Sequence, residues 1–311
     1  MMKVTLVFPG QGTQYVGMGK NFVGSPSFEN ANHAAGYNLE KIMLEGPLEE
    51  LKLTKNTQPA IVAHSLMLFK KLKDILDKKN IEIEKVLGHS VGEYAALSAA
   101  GSLDFADAVK AVHFRGKYMQ EATPAGKGTM FAILKQDENV IREACEAASL
   151  SDEKVSPANF NEPAQIVISG DKKACELAIK IMEEKTQSRV KAIELQVSAP
   201  FHCQLMKPAE INLKAVLDQI TFHPLKYPYI ANIDAKIYGT DTNPLVLKEN
   251  LLKQVCGSVL WTQSVQKLHS DSVVIEVGPG KVLSGLIKKI NPNIKVISLD
   301  TETGFAEVEA L

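Results

Sequence analysis

The chain has 311 residues, 45% of them hydrophobic, enough to bury a sizeable core in one large α/β domain with an insertion or in two ordinary domains. Its 35 Lys+Arg against 36 Asp+Glu leave a formal net charge of -1, so no global field draws nucleic acid or an anionic membrane, and an acidic partner must be met by a local patch. Four cysteines, Cys145, Cys175, Cys203 and Cys256, stand far apart with no C-x-x-C pair, which suggests neither a zinc site nor a disulfide framework; reduced thiols, buried or inert, are expected.

Residues 3–8 read as a buried strand that breaks at Pro9-Gly10-Gln11-Gly12, a loop whose glycines expose backbone amides. This opening run is too short for a secretory signal, and no other segment is apolar for long enough to span a bilayer, so the cytoplasm is the expected compartment. Thr57-Gln58-Pro59 reads as a helix start, proline being tolerated in a first turn, with the helix continuing through 60–79. His64 falls on its apolar stripe with Ile61, Leu68, Leu72 and Ile75, where a satisfied core histidine is expected rather than a ligand. The short run Val86-Leu87 leads into Gly88-His89-Ser90-Val91-Gly92 and a helical stretch over 93–100. Gly101 ends that stretch, and Asp104 caps the next, which runs to about Ala122.

The pattern then changes. Residues 128–135 alternate as a strand, 137–149 are helical, 155–160 and 165–169 are strand-like, 171–186 are helical and 190–198 close as a strand. That βαββαβ order is the ferredoxin-like split motif. It is bracketed by Pro124-Ala125-Gly126 and by Ala199-Pro200, which predicts a subdomain, 127–198, inserted into a core made of 1–126 and 199–311. Beyond it, 207–219 and 247–256 read as helices. A buried strand over 272–277 turns at Gly278-Pro279-Gly280 into a helix over 282–290, 296–299 is a final strand, and the residues after Thr301 read as a frayed end. The expected fold is α/β, with an α/β-hydrolase-like core on a parallel sheet and a ferredoxin-like insertion.

The G-x-S-x-G pentapeptide is the pattern of a nucleophile elbow, a strained strand-to-helix turn that holds Ser90 with its hydroxyl at the apex. The next amide, that of Val91, then stands at a helix N-terminus and can donate to a developing oxyanion. A glycine-bounded turn with a capping serine accounts for the bare pentapeptide equally well. A serine nucleophile needs a base, so the histidines are the candidates. His89 adjoins Ser90, but in an elbow its side chain points away from the hydroxyl. His202, in Ser198-Ala199-Pro200-Phe201-His202-Cys203, stands at a domain junction where pockets form, although a helix cap is an alternative role there. His113, His223 and His269 are weaker, His269 being placed where a hydrolase histidine would lie.

On a helical wheel, Phe105, Ala108, Val109, Val112 and Met119 form one apolar arc, and Arg115 falls just inside its edge. An arginine there either snorkels to water or points inward and grips a carboxylate through two parallel hydrogen bonds. No aspartate or glutamate stands in an obvious third-member position. Metal motifs are absent, and Gly278-Pro279-Gly280-Lys281 lacks the spacing of a phosphate loop.

Phe8-Pro9-Gly10-Gln11-Gly12-Thr13-Gln14, Thr57-Gln58-Pro59-Ala60, Gly88-His89-Ser90-Val91-Gly92-Glu93-Tyr94, Phe114-Arg115-Gly116-Lys117, Ser198-Ala199-Pro200-Phe201-His202 and Glu276-Val277-Gly278-Pro279-Gly280 occur in that order. Together they resemble the malonyl-CoA:acyl-carrier-protein transacylase family of type II fatty acid synthesis, over nearly the whole chain. The resemblance implies a ping-pong acyl transfer with malonyl-CoA, CoA and acyl carrier protein as partners, and no cofactor, metal, nucleic acid or membrane. It implies Ser90 as nucleophile, His202 as base, the backbone amides of Gln11 and Val91 as the oxyanion hole, and Arg115 as the clamp on the free malonyl carboxylate. It also implies that a backbone carbonyl, that of Gln254, orients His202 in place of an acid, and that Phe201 leaves no room for an α-methyl group. Val91 stands where the family often has leucine, a change without consequence for an amide.

Two other classes use the same residues differently. A serine hydrolase would take water as acceptor and need an acid for its histidine, and Arg115 counts against it because a simple ester offers no carboxylate. A non-catalytic module that docks the carrier would have no use for Ser90. For that docking, Lys70, Lys71, Lys73, Lys288 and Lys289 serve as well as solvated helix faces.

Overall fold

The computed structural model describes residues 2–124, 126–149 and 152–311; Met1 and Ala125, which belong to the opening run and to one bracketing turn, lie outside them. Ten strands are found among the described residues: β1 (Lys3–Phe8), β2 (Glu82–Gly88), β3 (Gly128–Leu134), β4 (Val155–Glu162), β5 (Gln165–Asp171), β6 (Lys191–Glu194), β7 (Tyr229–Ile230), β8 (Ile237–Tyr238), β9 (Val273–Glu276) and β10 (Lys295–Ser298). Six of them form a sheet of order β10-β9-β1-β2-β7-β8, parallel except where β8 runs back along β7. A parallel sheet is covered by helices on both faces, which is why β1 reads as the unbroken run Val4-Thr5-Leu6-Val7-Phe8 and is buried along that whole length. β1 and β2 lie side by side, so the Pro9–Gly12 loop and the elbow leave the sheet at the same edge.

The other four strands form an antiparallel sheet of order β4-β5-β3-β6, with helices Glu138–Ala148 and Lys172–Thr186 in the βαββαβ order of the ferredoxin-like motif. Strand alternation divides its side chains between two cores. Phe131 and Ile133 of β3 and Ile166 and Ile168 of β5 face the sheet's own helices, whereas Met130, Ala132 and Val167 join the core of the larger body. The small sheet therefore presents its second face to the parallel sheet's domain, and a cleft runs between them.

Several elements differ from the sequence expectation. Helix Thr54–Lys78 starts before Thr57, and Pro59 lies inside it. Proline has no N–H to give the carbonyl four residues back. That carbonyl, of Lys55, instead accepts from Tyr37 Oη at 3.3 Å and His113 Nδ1 at 3.2 Å, so tertiary donors replace the missing helical one. Asp104 precedes helix Phe105–Glu121, but its side chain makes no capping bond. β6 covers only Lys191–Glu194, an edge strand paired to β3 alone. The end of the chain is not frayed: Glu302–Glu309 is a helix with Phe305 and Val308 buried. Gly304 lets that helix approach β10 so closely that a Cβ there would stand 1.9 Å from the Ser298 carbonyl oxygen. Helices Pro26–Ala35, Leu39–Glu45 and Leu48–Lys52 and the two-residue strands β7 and β8 are not among the elements expected from the sequence.

Candidate active site

β2 ends at Gly88 and helix Gly92–Ala99 begins four residues later, so the pentapeptide forms the turn between them. Ser90 has φ 51°, a left-handed conformation that a side-chain-bearing residue adopts only under constraint. Both glycines are steric necessities. A Cβ on Gly88 would lie 2.1 Å from Gly92, and one on Gly92 would lie 2.1 Å from the Phe8 carbonyl oxygen. The strained turn is splinted by Asn232, whose Oδ1 accepts from the Ser90 amide at 2.8 Å while its Nδ2 donates to the Gly88 carbonyl at 2.6 Å. Asn232 arrives there because β7 pairs in parallel with Val86 and Leu87.

Ser90 Oγ lies 2.7 Å from His202 Nε2, and His202 Nδ1 lies 2.8 Å from the Gln254 backbone oxygen. A carbonyl only accepts, so Nδ1 carries the proton and the Nε2 lone pair faces the serine hydroxyl. His202 is 3% exposed. Burial, and then the Arg115 cation, push its pKa down from the ordinary 6.5 to about 3, so the imidazole is neutral and able to take a proton. His202 does not cap a helix; the short turn that follows is preceded by Cys203, whose side chain makes no capping bond.

Arg115 does not snorkel. It is 1% exposed, on the inner side of helix Phe105–Glu121. Nη1 donates to Gln58 Oε1 at 2.8 Å, while Nη2 donates to Gln254 Oε1 at 2.8 Å and to Ser90 Oγ at 3.1 Å. Among the described residues Nε has no partner, and the Tyr94 ring lies 5.8 Å from the guanidinium carbon. All three acceptors are neutral oxygens, so the fork is held in place without a carboxylate of the protein in contact with it.

Glu93, the residue after Gly92, is wholly buried. Tyr229 Oη and the Asn232 amide donate to one of its oxygens, the latter at 3.1 Å, and Gln254 Nε2 donates to the other. Burial pushes its pKa up to about 7, against the pull of these donors and of Arg115.

These groups open on a cleft of about 180 Å³, lined on its far side by Met130, Val167, Leu195 and Phe201. Gln11 and Val91 line it too, and among the described residues no acceptor is found for either backbone N–H. His89 is engaged by Asn161 at 2.9 Å and edge-on by Trp261, not by Ser90. His113 serves the Lys55 carbonyl, and His223 and His269 are exposed away from the cleft. His64 is buried with Nε2 3.1 Å from Asp300, but Nδ1 has no partner among the described residues, so this core histidine is satisfied at one nitrogen only. Of the surface lysines, Lys71 lies over the Phe305 ring, Lys73 pairs with Asp77 and Lys289 pairs with Glu162.

Sequence reasoning missed Gln58, Glu93 and Asn232 as site residues. Glu93 carried a signal, a single charge at the head of the apolar run Tyr94-Ala95-Ala96-Leu97. Asn232 carried none. Among the described residues no three metal-ligating side chains cluster, and no helix is long and apolar enough to cross a membrane.

Fold and site together define an α/β protein built around an elbow serine. The family model described as acyl transferase domain matches residues 5–295. A malonyl CoA-acyl carrier protein transacylase of Bacillus subtilis is 42% identical over 311 residues, covering 97% of this chain and 95% of that protein. The solved structure of the malonyl CoA-acyl carrier protein transacylase from Coxiella burnetii matches with a TM-score of 0.91 at 35% identity, over 100% of this chain and 98% of that one. A malonyl-transacylase solved in complex with its type II PKS acyl-carrier protein matches at 0.88 and 35%, over 100% and 99%. The chain belongs to the malonyl-CoA:acyl-carrier-protein transacylase family.

Proposed function

We propose that this protein moves a malonyl group from malonyl-CoA to the phosphopantetheine thiol of acyl carrier protein, through a malonyl ester on Ser90. Ser90 Oγ attacks the thioester carbonyl as its proton passes to His202 Nε2. The carbonyl oxygen, now negative, is met by the Gln11 and Val91 amides. Collapse breaks the C–S bond, and CoA leaves with the proton returned from His202. The carrier thiol then gives its proton to the same nitrogen, attacks the ester and restores Ser90. The Gln254 carbonyl replaces the acid of a triad by holding His202 in the required tautomer.

One observation carries the malonyl reading: Arg115 Nη2 stands 3.1 Å from Ser90 Oγ. Malonyl has a single methylene between its thioester carbonyl and its carboxylate, so an anchor for the carboxylate has to lie beside the nucleophile. Arg115 is such an anchor, with a fork suited to two parallel bonds. Phe201, which lines the cleft immediately before His202, is the side chain in this reading that crowds out an α-methyl branch. Residues 127–198 form the inserted unit that closes the cleft over the core of 1–126 and 199–311. The cytoplasm is the compartment proposed for this reaction, and no helix among the described residues is long and apolar enough to cross a membrane.

Intact mass after mixing with malonyl-CoA tests the reading. The expected result is one malonyl mass on the wild type, far less acetyl mass from acetyl-CoA, none on Ser90→Ala, and transfer of the label to added phosphopantetheinylated carrier. Loss of the label to water irrespective of carrier would make the protein a hydrolase. Binding of the carrier with no label at any stage would make it a docking module.

A further inference from the structure

Arg115 is a buried cation without a carboxylate in contact, and Glu93 is a buried carboxylate without a cation in contact. Gln254 stands between them. Its Oε1 accepts from Arg115 Nη2 at 2.8 Å, and its Nε2 donates to Glu93 and, at 2.9 Å, to the Ser90 carbonyl. A primary amide has one accepting and one donating end, so the chain of contacts Arg115, Gln254, Glu93 runs in one sense only. The carboxylate sets that sense. Its two oxygens accept from Tyr229 Oη, the Asn232 amide and Gln254 Nε2, so the side chain at this position has to accept at both ends and donate at neither.

Resting on the malonyl reading above, we infer that Glu93 is a positioning residue for selection of the acyl group: through the Gln254 side chain it fixes the Arg115 fork and, when ionised, supplies its counter-charge from one amide away. The spacing has a chemical purpose. A carboxylate of the protein placed directly on Arg115 would occupy the fork that malonyl has to use, and no carboxylate at all would leave a cation buried without compensation. An interposed amide holds the guanidinium in place with its charge balanced and no carboxylate of the protein on it, so that the second Nη1 hydrogen and the Nη2 hydrogen now given to Ser90 Oγ can pass to a substrate carboxylate. Acetyl has no carboxylate and draws nothing from this arrangement.

The test compares wild type, Glu93→Gln, Gln254→Met and the double variant for acyl-enzyme formation from malonyl-CoA and acetyl-CoA, with kcat and KM separated and folding checked by thermal melting. In Glu93→Gln the new amide puts a donor against Gln254 Nε2 or against the Asn232 N–H, so Gln254 turns or the elbow shifts. The malonyl-to-acetyl ratio of kcat/KM is expected to fall about tenfold, in keeping with one charge-assisted bond lost from the clamp, with the fall carried mainly by KM for malonyl-CoA. Gln254→Met keeps the backbone carbonyl that His202 uses and is expected to lower the ratio by as much. Because Glu93 acts through Gln254, the double variant is expected to be no worse than Gln254→Met alone.

Equal loss on both substrates would reduce Glu93 to a structural residue, and additive losses would show that it does not act through Gln254. Either result overturns the inference. Should Glu93→Gln fail to fold, Gln254→Met decides alone, since an unchanged ratio there removes the relay. A wild type with no preference for malonyl would instead overturn the functional reading itself.

Discussion

The two walls of the cleft are built on different principles. One wall, from the parallel sheet and the helices beside it, is polar: Ser90, His202, Arg115, Gln58 and Gln254 are bonded to one another at 2.7 to 3.1 Å, and each bond depends on the next. The other is mostly apolar and comes largely from the antiparallel sheet, with Met130 and Val167 presented by strand alternation, Leu195 following β6, and all three side chains held by packing alone. A network of directional bonds fails when one member is removed, because the partners left behind are buried and unsatisfied. An apolar wall yields by degrees, because packing is the sum of many small contacts. In the function proposed above, chemistry and selection of charge belong to the first wall, and the volume of the acyl group belongs to the second.

The largest expected effect is at the centre of the polar wall. His202→Ala should slow formation of the acyl-enzyme by about 10²- to 10⁴-fold, the usual range for a general base, measured by stopped mass spectrometry with malonyl-CoA. A loss under tenfold would show that another group takes the serine proton. Next comes Arg115→Ala, which should weaken malonyl use by about a hundredfold, as expected for two charge-assisted bonds, while acetyl-CoA gains relative to it. Equal losses on the two substrates would mean that Arg115 only braces Gln58 and Gln254.

The acid side of the pH dependence follows from His202. Acylation should stay fast well below pH 6.5, because burial first and Arg115 second hold the imidazole neutral down to about pH 3. Using acetyl-CoA, Arg115→Ala should move the acid limb upward by removing the cation. An unmoved limb would leave burial as the whole cause. The same depression affects stability. The unfolded chain binds a proton at His202 below 6.5 and the folded chain does not until about 3, so this stabilisation is complete above 6.5 and lost as pH falls through that window. Glu93 acts in the opposite sense: its pKa is raised from 4.5 to about 7, so its contribution is full below 4.5 and lost as pH rises through 7. Chemical denaturation of wild type and His202→Asn between pH 4 and 6.5 should therefore differ in slope by up to about 1.4 kcal/mol per pH unit, the limit for one proton.

The smallest expected effect lies on the apolar wall. Phe201→Leu should cost under about 1.5 kcal/mol of stability, as hydrophobic replacements of near volume do, and raise use of an α-methyl-branched malonyl thioester several-fold without changing the rate with malonyl-CoA. A drop in malonyl rate comparable to that of Arg115→Ala would erase the distinction between the walls.

Much of this molecule is local and so was legible in its sequence. The elbow is one case, since Gly88 and Gly92 are demanded by contacts within five residues and with the neighbouring strand. The βαββαβ order is another, because each element has its own period and the breaks between elements are marked by turn residues. Arg115 was visible as a charge at the edge of an apolar arc, although its partners were not. Where the expectation failed, a distant contact had decided the outcome. Pro59 sits inside a helix because Tyr37 and His113 satisfy the carbonyl it strands, and the last helix is ordered because Gly304 allows it onto β10. By itself, then, the sequence determined the periodic elements and the strained turn, which are set by backbone sterics over a few residues, while Ser90 and His202 as reacting groups rested on the likeness of its ordered motifs to a known family. Only the tertiary structure decided that Asn232 would splint the turn from 142 residues away, that Gln254, whose backbone faces His202, would also hold Arg115 through its side chain, and that Glu93 would stand behind it. Those are hydrogen bonds between buried groups far apart in the chain, and their partners come within reach only when the helices and loops that carry them have packed around the paired strands.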